Sequence, residues 1–239
     1  MESTFVKAVK SLLWPQRCIF CGELIFDNLK CTCERCLDSL PYVTDKICFR
    51  CGRGKDECTC SSATLYYDKA IAPLYFENGV RKCIHDLKFR YHKEYAEPLS
   101  EYMTEMIDKY YYDEQFDFIA CVPLHEKDFR KRRFNQSEEL AKHISFKTGI
   151  PFKKNIITKI YRTQKQSGTR EFERIGNVFG VYDVNKDEDV TGSKVLLIDD
   201  VETTGSTLSE CGKMLFLAGA ERVCCLSVAV TKITKKGRG

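Results

Sequence analysis

Val195-Leu-Leu-Ile-Asp199-Asp200-Val-Glu202-Thr203-Thr204-Gly205-Ser206-Thr207 decides the fold of this chain. Val195 to Ile198 are apolar, two Leu and two β-branched, and they read as a buried strand of a parallel sheet. Asp199 and Asp200 stand where that strand is expected to end. The small and hydroxylated run Thr203–Thr207 opens a helix over 206–217, with Leu208, Cys211 and Leu215 on one side and Gly219 as its stop. A strand, a tight turn and a helix N-terminus make an anion site. The first N–H groups of the helix lack partners and its dipole favours negative charge. Gly205 lets an anion approach the backbone closely. The two acids can accept from vicinal sugar hydroxyls or hold a magnesium ion. Capping alone would need one hydroxylated residue, not a run of them. Glu202 is a charge mismatch beside a phosphate and is expected to point to solvent.

This stretch resembles the PRPP-binding motif of the type I phosphoribosyltransferases: an apolar strand, two acids, then a Thr/Gly-rich loop. The resemblance implies a phosphoribosyl ligand, with Mg2+ bound alongside it.

Working outward, 239 residues suffice for a full α/β core with a small module added. The 43% hydrophobic and 30% charged composition is that of a globular protein. No apolar run has membrane-spanning length. Residues 1–17 mix Phe5, Val9, Leu12 and Trp14 with lysines and lack a small-residue cleavage site, so they read as a short helix rather than an export signal. A cytoplasmic protein is expected.

Nine of the 14 cysteines fall between Cys18 and Cys60. Their spacing is Cys18-x2-Cys21, Cys31-x-Cys33-x2-Cys36, Cys48-x2-Cys51 and Cys58-x-Cys60. A C-x2-C turn aims two sulfurs at one tetrahedral metal about 2.3 Å away. Gly22 and Gly52 follow two of the pairs, as a knuckle turn requires. The grouping expected is Cys18, Cys21, Cys33 and Cys36 for one Zn2+, and Cys48, Cys51, Cys58 and Cys60 for a second. Cys31 in place of Cys33, or a crossed arrangement, is also open. Four-thiolate sites are closed, so the metal is structural. The formal charge of +4 falls to about zero once eight thiolates bind two dications. Bulk charge therefore makes no case for nucleic acid, and only local clusters can. Cys83, Cys121, Cys211, Cys224 and Cys225 lie in expected helices and strands and read as small core residues.

From about residue 64 onward, strands alternate with helices, implying a parallel sheet. Strands around a turn are expected over 65–75, helices over 78–92 and 98–112, and a strand over 116–122. A helix over 135–146 carries Asn135 and Glu138 in capping-box positions. Further strands are expected over 156–161, 178–182 and 223–230. Ligands of such sheets bind beyond the strand carboxyl ends. One such end is Val122-Pro123-Leu124-His125, followed by Lys127, Arg130, Lys131, Arg132 and Arg133, cations suited to pyrophosphate.

The Pro123–His125 turn with Phe134-Asn135-Gln136, the stretch Leu87-Lys88-Phe89-Arg90, the segment Gln166–Asn177, the Thr203 loop and the double-cysteine module together resemble the ComF family, from about Cys18 to Val230. Arg133 stands where the family often has Gly. The resemblance implies a type I phosphoribosyltransferase-like α/β fold over 63–239, with a parallel sheet flanked by helices, and a small Cys-rich zinc-binding domain over 1–62. It implies ribose hydroxyls on Asp199 and Asp200 and the 5′-phosphate on Thr203, Thr204, Gly205, Ser206 and Thr207. Pyrophosphate would lie on Val122, Pro123, Leu124 and His125, helped by Arg130 or Arg133. The polar stretch 163–176 would be a loop closing over the ligand. Some members are linked to natural transformation, which implies single-stranded DNA and DNA-uptake proteins as partners. Two aromatic–basic clusters suit that role, one with Lys88 and Arg90, the other with Lys131 and Arg132: cations track a backbone while aromatics stack on bases. The acceptor of an active transferase is not written in any of these motifs.

Overall fold

The computed structural model describes residues 16–25, 31–44, 46–58, 60, 64–160 and 180–232. At its centre is a parallel sheet. Strand β3 (Lys69–Ile71) and strand β4 (Leu74–Tyr75) both pair in parallel with β9 (Arg222–Val230). Beyond β9 lie β8 (Lys194–Glu202) and then β5 (Phe118–Cys121), again parallel. The pleat of β8 divides the interior into two layers. Leu196 and Ile198 pack with helices α2 (Asn78–Phe89), α3 (Ala96–Tyr110) and α5 (Gln136–Thr148); Val195 and Leu197 pack with α6 (Ser206–Leu217) and a separate antiparallel pair, β6 (Ile157–Lys159) and β7 (Tyr182–Val184). This is the parallel α/β architecture expected from the alternating strands and helices.

The expected helix over 206–217 has those bounds. The helix over 78–92 ends earlier, at Phe89, and the one over 98–112 runs from Ala96 to Tyr110. Asn135 caps α5 by accepting from Ser137 N–H at 3.1 Å. Glu138 does not complete the capping box; it pairs with Lys142 (2.7 Å) and Lys154 (3.0 Å). Strong cations within reach outbid a backbone N–H for that carboxylate. The expected helix in residues 1–17 falls almost wholly outside the described residues, and the polar stretch 163–176 and the Gln166–Asn177 segment lie outside them entirely. Among the described residues, no helix is long and apolar enough to cross a membrane.

The Cys-rich segment repeats one device. Strands β1 (Gln16–Arg17) and β2 (Leu24–Ile25) pair around Cys18–Gly22, and Ile47 bridges Gly54 around Cys48–Gly52. In each hairpin the glycine after the second cysteine is left-handed (φ 82° at Gly22, 66° at Gly52). Its N–H returns to the carbonyl of the first cysteine at 2.8 and 2.9 Å. A non-glycine residue would strain that turn. Helix α1 (Glu34–Ser39) follows the first hairpin. Ile19, Phe20, Ile25, Leu40, Val43 and Ile47 join the same core as Ile71, Leu74 and Ile84, so the segment is packed into the α/β layers.

Candidate functional site

The Sγ atoms of Cys18, Cys21, Cys33 and Cys36 all lie within 4.8 Å of one another, as do those of Cys48, Cys51, Cys58 and Cys60. Both groupings match the expectation from spacing. Cys31 belongs to neither set. Within the sets, Sγ–Sγ separations are 3.7 Å (Cys21–Cys33), 3.9 Å (Cys48–Cys60) and 3.7 Å (Cys51–Cys58). A tetrahedron with 2.3 Å metal–sulfur bonds has edges of about 3.8 Å. The two sets therefore fit a tetrahedral thiophilic ion such as Zn2+. Burial raises the Cys18 and Cys58 pKa, but backbone and thiol donors outweigh it and bring each to about 7.

The β8–α6 junction differs from its sequence reading in one respect. β8 does not stop at Ile198. It stays paired with β9 out to Glu202, opposite Val230. Asp199 and Asp200 are therefore inside the strand, 8% and 4% exposed. Asp199 Oδ1 accepts from Ser137 Oγ (3.0 Å) and from Asp200 N–H (2.9 Å). Burial pushes its pKa up to about 6, against the pull of Lys88 and Ser137. Lys88 Nζ lies 2.5 Å from Asp200 Oδ2. Glu202 does not point to solvent. The continued strand carries it to 3% exposure, between Gly52 and Gly205, with the Tyr67 hydroxyl nearby and no full hydrogen bond to either carboxylate oxygen among the described residues. Burial raises its pKa to about 7 despite Arg53 nearby.

The chain leaves β8 through Thr203 and Thr204 into Gly205, left-handed at φ 75°, which opens α6. A Cβ on Gly205 would meet Tyr67 Oη at 2.9 Å and Glu202 Oε1 at 3.3 Å. Thr204 Oγ1 and Ser206 Oγ are 2.7 Å apart. The loop thus presents hydroxyls at the start of a 12-residue helix, with Ser206 N–H resting on Thr204 Oγ1 at 3.4 Å.

The second strand end lies beside the first. Val122 N–H donates to Ile198 O (2.9 Å) and Asn135 Nδ2 donates to Val122 O (2.9 Å). The Val122–His125 turn and the acid pair therefore share one edge of the sheet. A cavity of about 210 Å³ opens here, lined by Cys121, Pro123, Leu124, Asn135, Glu138 and Lys154 among others. His125 caps the short helix α4 (Glu126–Arg132), its Nδ1 accepting from Lys127 N–H at 3.1 Å. Arg130 is on the exposed face of α4 and ion-paired with Glu126. Arg133 is left-handed at φ 63° and ends α4. That conformation explains why a Gly suits the position.

The two aromatic–basic clusters form one surface. The Arg132 guanidinium lies 4.8 Å from the Phe89 ring centroid and Arg133 5.7 Å from that of Tyr91. Tyr91 Oη donates to Lys131 O at 3.0 Å. Phe89, Tyr91 and Phe129 remain 46%, 53% and 42% exposed, with Arg132 and His85 against the Phe89 ring and Arg133 against that of Tyr91. Arg90 pairs with Asp86 at 3.3 Å. Lys88 is turned away from this surface to Asp200.

Sequence reasoning missed Ser137, Lys88 as a partner of the acids, and Arg53. Arg53 is 3% exposed. It donates from Nε to Thr231 O (2.7 Å) and from Nη2 to Thr203 O.

No family model matches the chain. Competence protein F of Haemophilus influenzae is 28% identical over 220 residues, covering 87% of this chain and 93% of its own length. Competence protein ComFC of Streptococcus pneumoniae is 23% identical, covering 87% and 96%. These relatives support membership of the ComF family. DNA utilization protein YhgH of Salmonella typhimurium is 29% identical over 143 residues, covering 59% of this chain and 62% of its own. Among solved structures, the glutamine PRPP amidotransferase of B. subtilis superposes with TM-score 0.38 at 19% identity, over 56% of this chain and about a quarter (26%) of that enzyme. The hypoxanthine phosphoribosyl transferase of Trypanosoma cruzi does so with TM-score 0.41 at 12% identity, over 62% and 70%. The α/β assignment stands on the strand order of this chain, not on these superpositions.

Proposed function

We propose that the chain binds phosphoribosyl pyrophosphate or a related phosphoribosyl ligand at the β8–α6 junction, and that it serves competence-related handling of single-stranded DNA. Gly205 carries the ligand half of this reading. It is left-handed, flanked by hydroxyls, opens a helix, and follows a pair of acids. That arrangement suits a phosphate ester whose diol reaches the carboxylates. The names of the competence relatives support the cellular role. The division into 1–62 and 63–239 belongs to the same proposal, with the Cys-rich unit holding two structural Zn2+ ions.

In this reading Ser206 and Thr207 hold the 5′-phosphate with their N–H groups and hydroxyls, and the Val122–His125 turn faces the pyrophosphate. Asp199 and Asp200 accept from the ribose hydroxyls after Lys88 swings off Asp200. The donor set suits Mg2+, a hard cation that takes carboxylate oxygens. It would sit at Asp199 and Asp200, supplying positive charge to the departing pyrophosphate in any transfer reaction. Until it binds, Lys88 neutralises the pair.

Titration calorimetry with PRPP and Mg2+ tests the site. The protein with Asp199→Asn and Asp200→Asn together is expected to lose at least about a hundredfold in affinity, the scale of two charge-assisted hydrogen bonds. Unchanged affinity rejects the site. Pyrophosphate release in the presence of amines and bases separates a transferase from a binder.

The exposed rings of Phe89, Tyr91 and Phe129 among Arg132, Arg133 and Lys131 support the DNA half. Binding to a single-stranded oligonucleotide should weaken steeply with salt and with Arg133→Ala plus Lys131→Ala. A flat salt response rejects it.

A further inference from the structure

We infer that Arg53, set directly behind the second cysteine cluster, is the positioning residue for the Thr203–Thr207 loop, so that the metal in this cluster governs phosphate affinity. The inference rests on the phosphate reading of that loop. Arg53 follows Cys51 and Gly52, two residues beyond a metal ligand, and Cys48 N–H donates to its carbonyl at 2.7 Å. The cluster therefore fixes the Arg53 backbone. Its side chain crosses to the sheet and grips both flanks of the junction. It reaches Thr203 O at the loop entrance, and Thr231 O (2.7 Å) just past the end of β9. Thr231 Oγ1 adds a bond to Thr203 O at 3.3 Å. A buried guanidinium with two carbonyl acceptors is a strong, geometry-specific clamp.

The same knuckle touches the loop at further points. Tyr67 Oη donates to Arg50 O (2.8 Å) while standing against Gly205. Gly52 bridges Ile71 in parallel, and Ala70 N–H donates to Phe49 O at 2.7 Å. A Cβ on Gly52 would meet Glu202 Oε2 at 3.4 Å, so the buried Glu202 lies between the knuckle and the loop. The Arg53 guanidinium is committed to the Thr203 and Thr231 carbonyls and to Thr231 Oγ1. It sets where the loop N–H groups point.

The test compares the full chain with Arg53→Ala, Arg53→Lys and Cys60→Ser. Three quantities are measured: zinc per chain, amide exchange over 203–207, and PRPP affinity. Arg53→Ala is expected to keep both zinc ions, raise exchange in 203–207 with little change over 118–121, and weaken PRPP by about tenfold or more, the scale of one charge-assisted bond. Cys60→Ser should lose one zinc and produce the same local pattern. Combining it with Arg53→Ala should add little, because both act through one clamp. Arg53→Lys, which cannot reach both carbonyls, should fall between, and it carries the test if the alanine variant fails to fold. Unaltered exchange over 203–207, or additive losses in the double variant, overturns the inference. If the wild-type protein fails to bind PRPP, the phosphate reading and the ligand half of the inference fall together. The exchange pattern then decides alone whether Arg53 holds the loop.

Discussion

The two cysteine clusters share one design and rest on different ground. The first leans on helices. Phe20 lies so close to Gly79 that a Cβ there would meet Phe20 Cβ at 3.1 Å, Phe20 meets the Tyr102 ring edge-on at 6.1 Å, and Thr32 Oγ1 lies 3.1 Å from Tyr102 Oη. The second leans on the carboxyl end of the sheet, through Ile71, Tyr67, Thr203 and Thr231. The spacing of cysteines names the ligands of a metal. The residue after the knuckle glycine differs in its surroundings: Glu23 in the first is exposed and salt-bridged to Arg35, while Arg53 in the second is buried at the Thr203–Thr207 loop. One cluster packs on the helical layer and the other on the Thr203–Thr207 loop, the proposed phosphate site.

Removing metal gives the largest effect. A structural zinc contributes about 10–16 kcal/mol in small peptides, and these segments put Ile19, Phe20 and Ile47 into the main core. Cys36→Ser and Cys60→Ser are each expected to release one of two zinc equivalents and lower Tm markedly. Exchange should separate them. Cys36→Ser should open α2 and α3, and Cys60→Ser should open 203–207. Identical exchange maps would abolish the distinction between the clusters.

Burial of the acids puts the next effect on the ligand side. The Asp199 pKa is about 6 in the fold against an unperturbed 3.8, because the ionised form is buried. Its contribution is therefore fully present below about pH 4 and is lost as pH rises through 6. Asp199→Asn should stabilise the protein at pH 7–8 by on the order of 2 kcal/mol and flatten that part of the pH profile. Thermal melts of the two proteins at matched pH, read as a difference so that zinc release at low pH cancels, check this. A variant less stable than wild type at pH 8 would mean that Lys88 and Ser137 more than offset the cost of burial. It would also mean that the site is built for stability.

Much of this was legible. Val195–Ile198 and the helix from Ser206 announced themselves through apolar periodicity, and the metal ligands through Cys spacing. These are local signals, carried within a few residues. The strand beyond Ile198 was hidden because Asp199, Asp200 and Glu202 are poor strand residues taken alone; pairing with β9 overrides propensity. Lys88 reads as part of a nucleic-acid cluster and Arg53 is passed over, because their partners lie more than a hundred residues away. Ser137 carried no signal. Contacts across sequence, not local pattern, decide which charges are buried.

The smallest effects come from two glycines, one beside each cluster, and they sharpen the contrast most cleanly. Gly79→Ala adds a methyl against Phe20 near the start of α2, while gaining up to about 1 kcal/mol of helix propensity. The two nearly cancel, leaving a net change within about 1 kcal/mol and no change in PRPP affinity. Gly205→Ala gains nothing. It costs about 1–2 kcal/mol for a left-handed alanine, and its methyl would press on Tyr67 Oη at 2.9 Å, the hydroxyl tied to Arg50 of the second knuckle. Chemical denaturation should show a modest loss, and calorimetry a much larger loss of PRPP binding. The glycine changes the path of the N–H groups as well as the stability of the fold. Equal small effects of both substitutions on PRPP binding would remove the Thr203–Thr207 loop from the second cluster's reach.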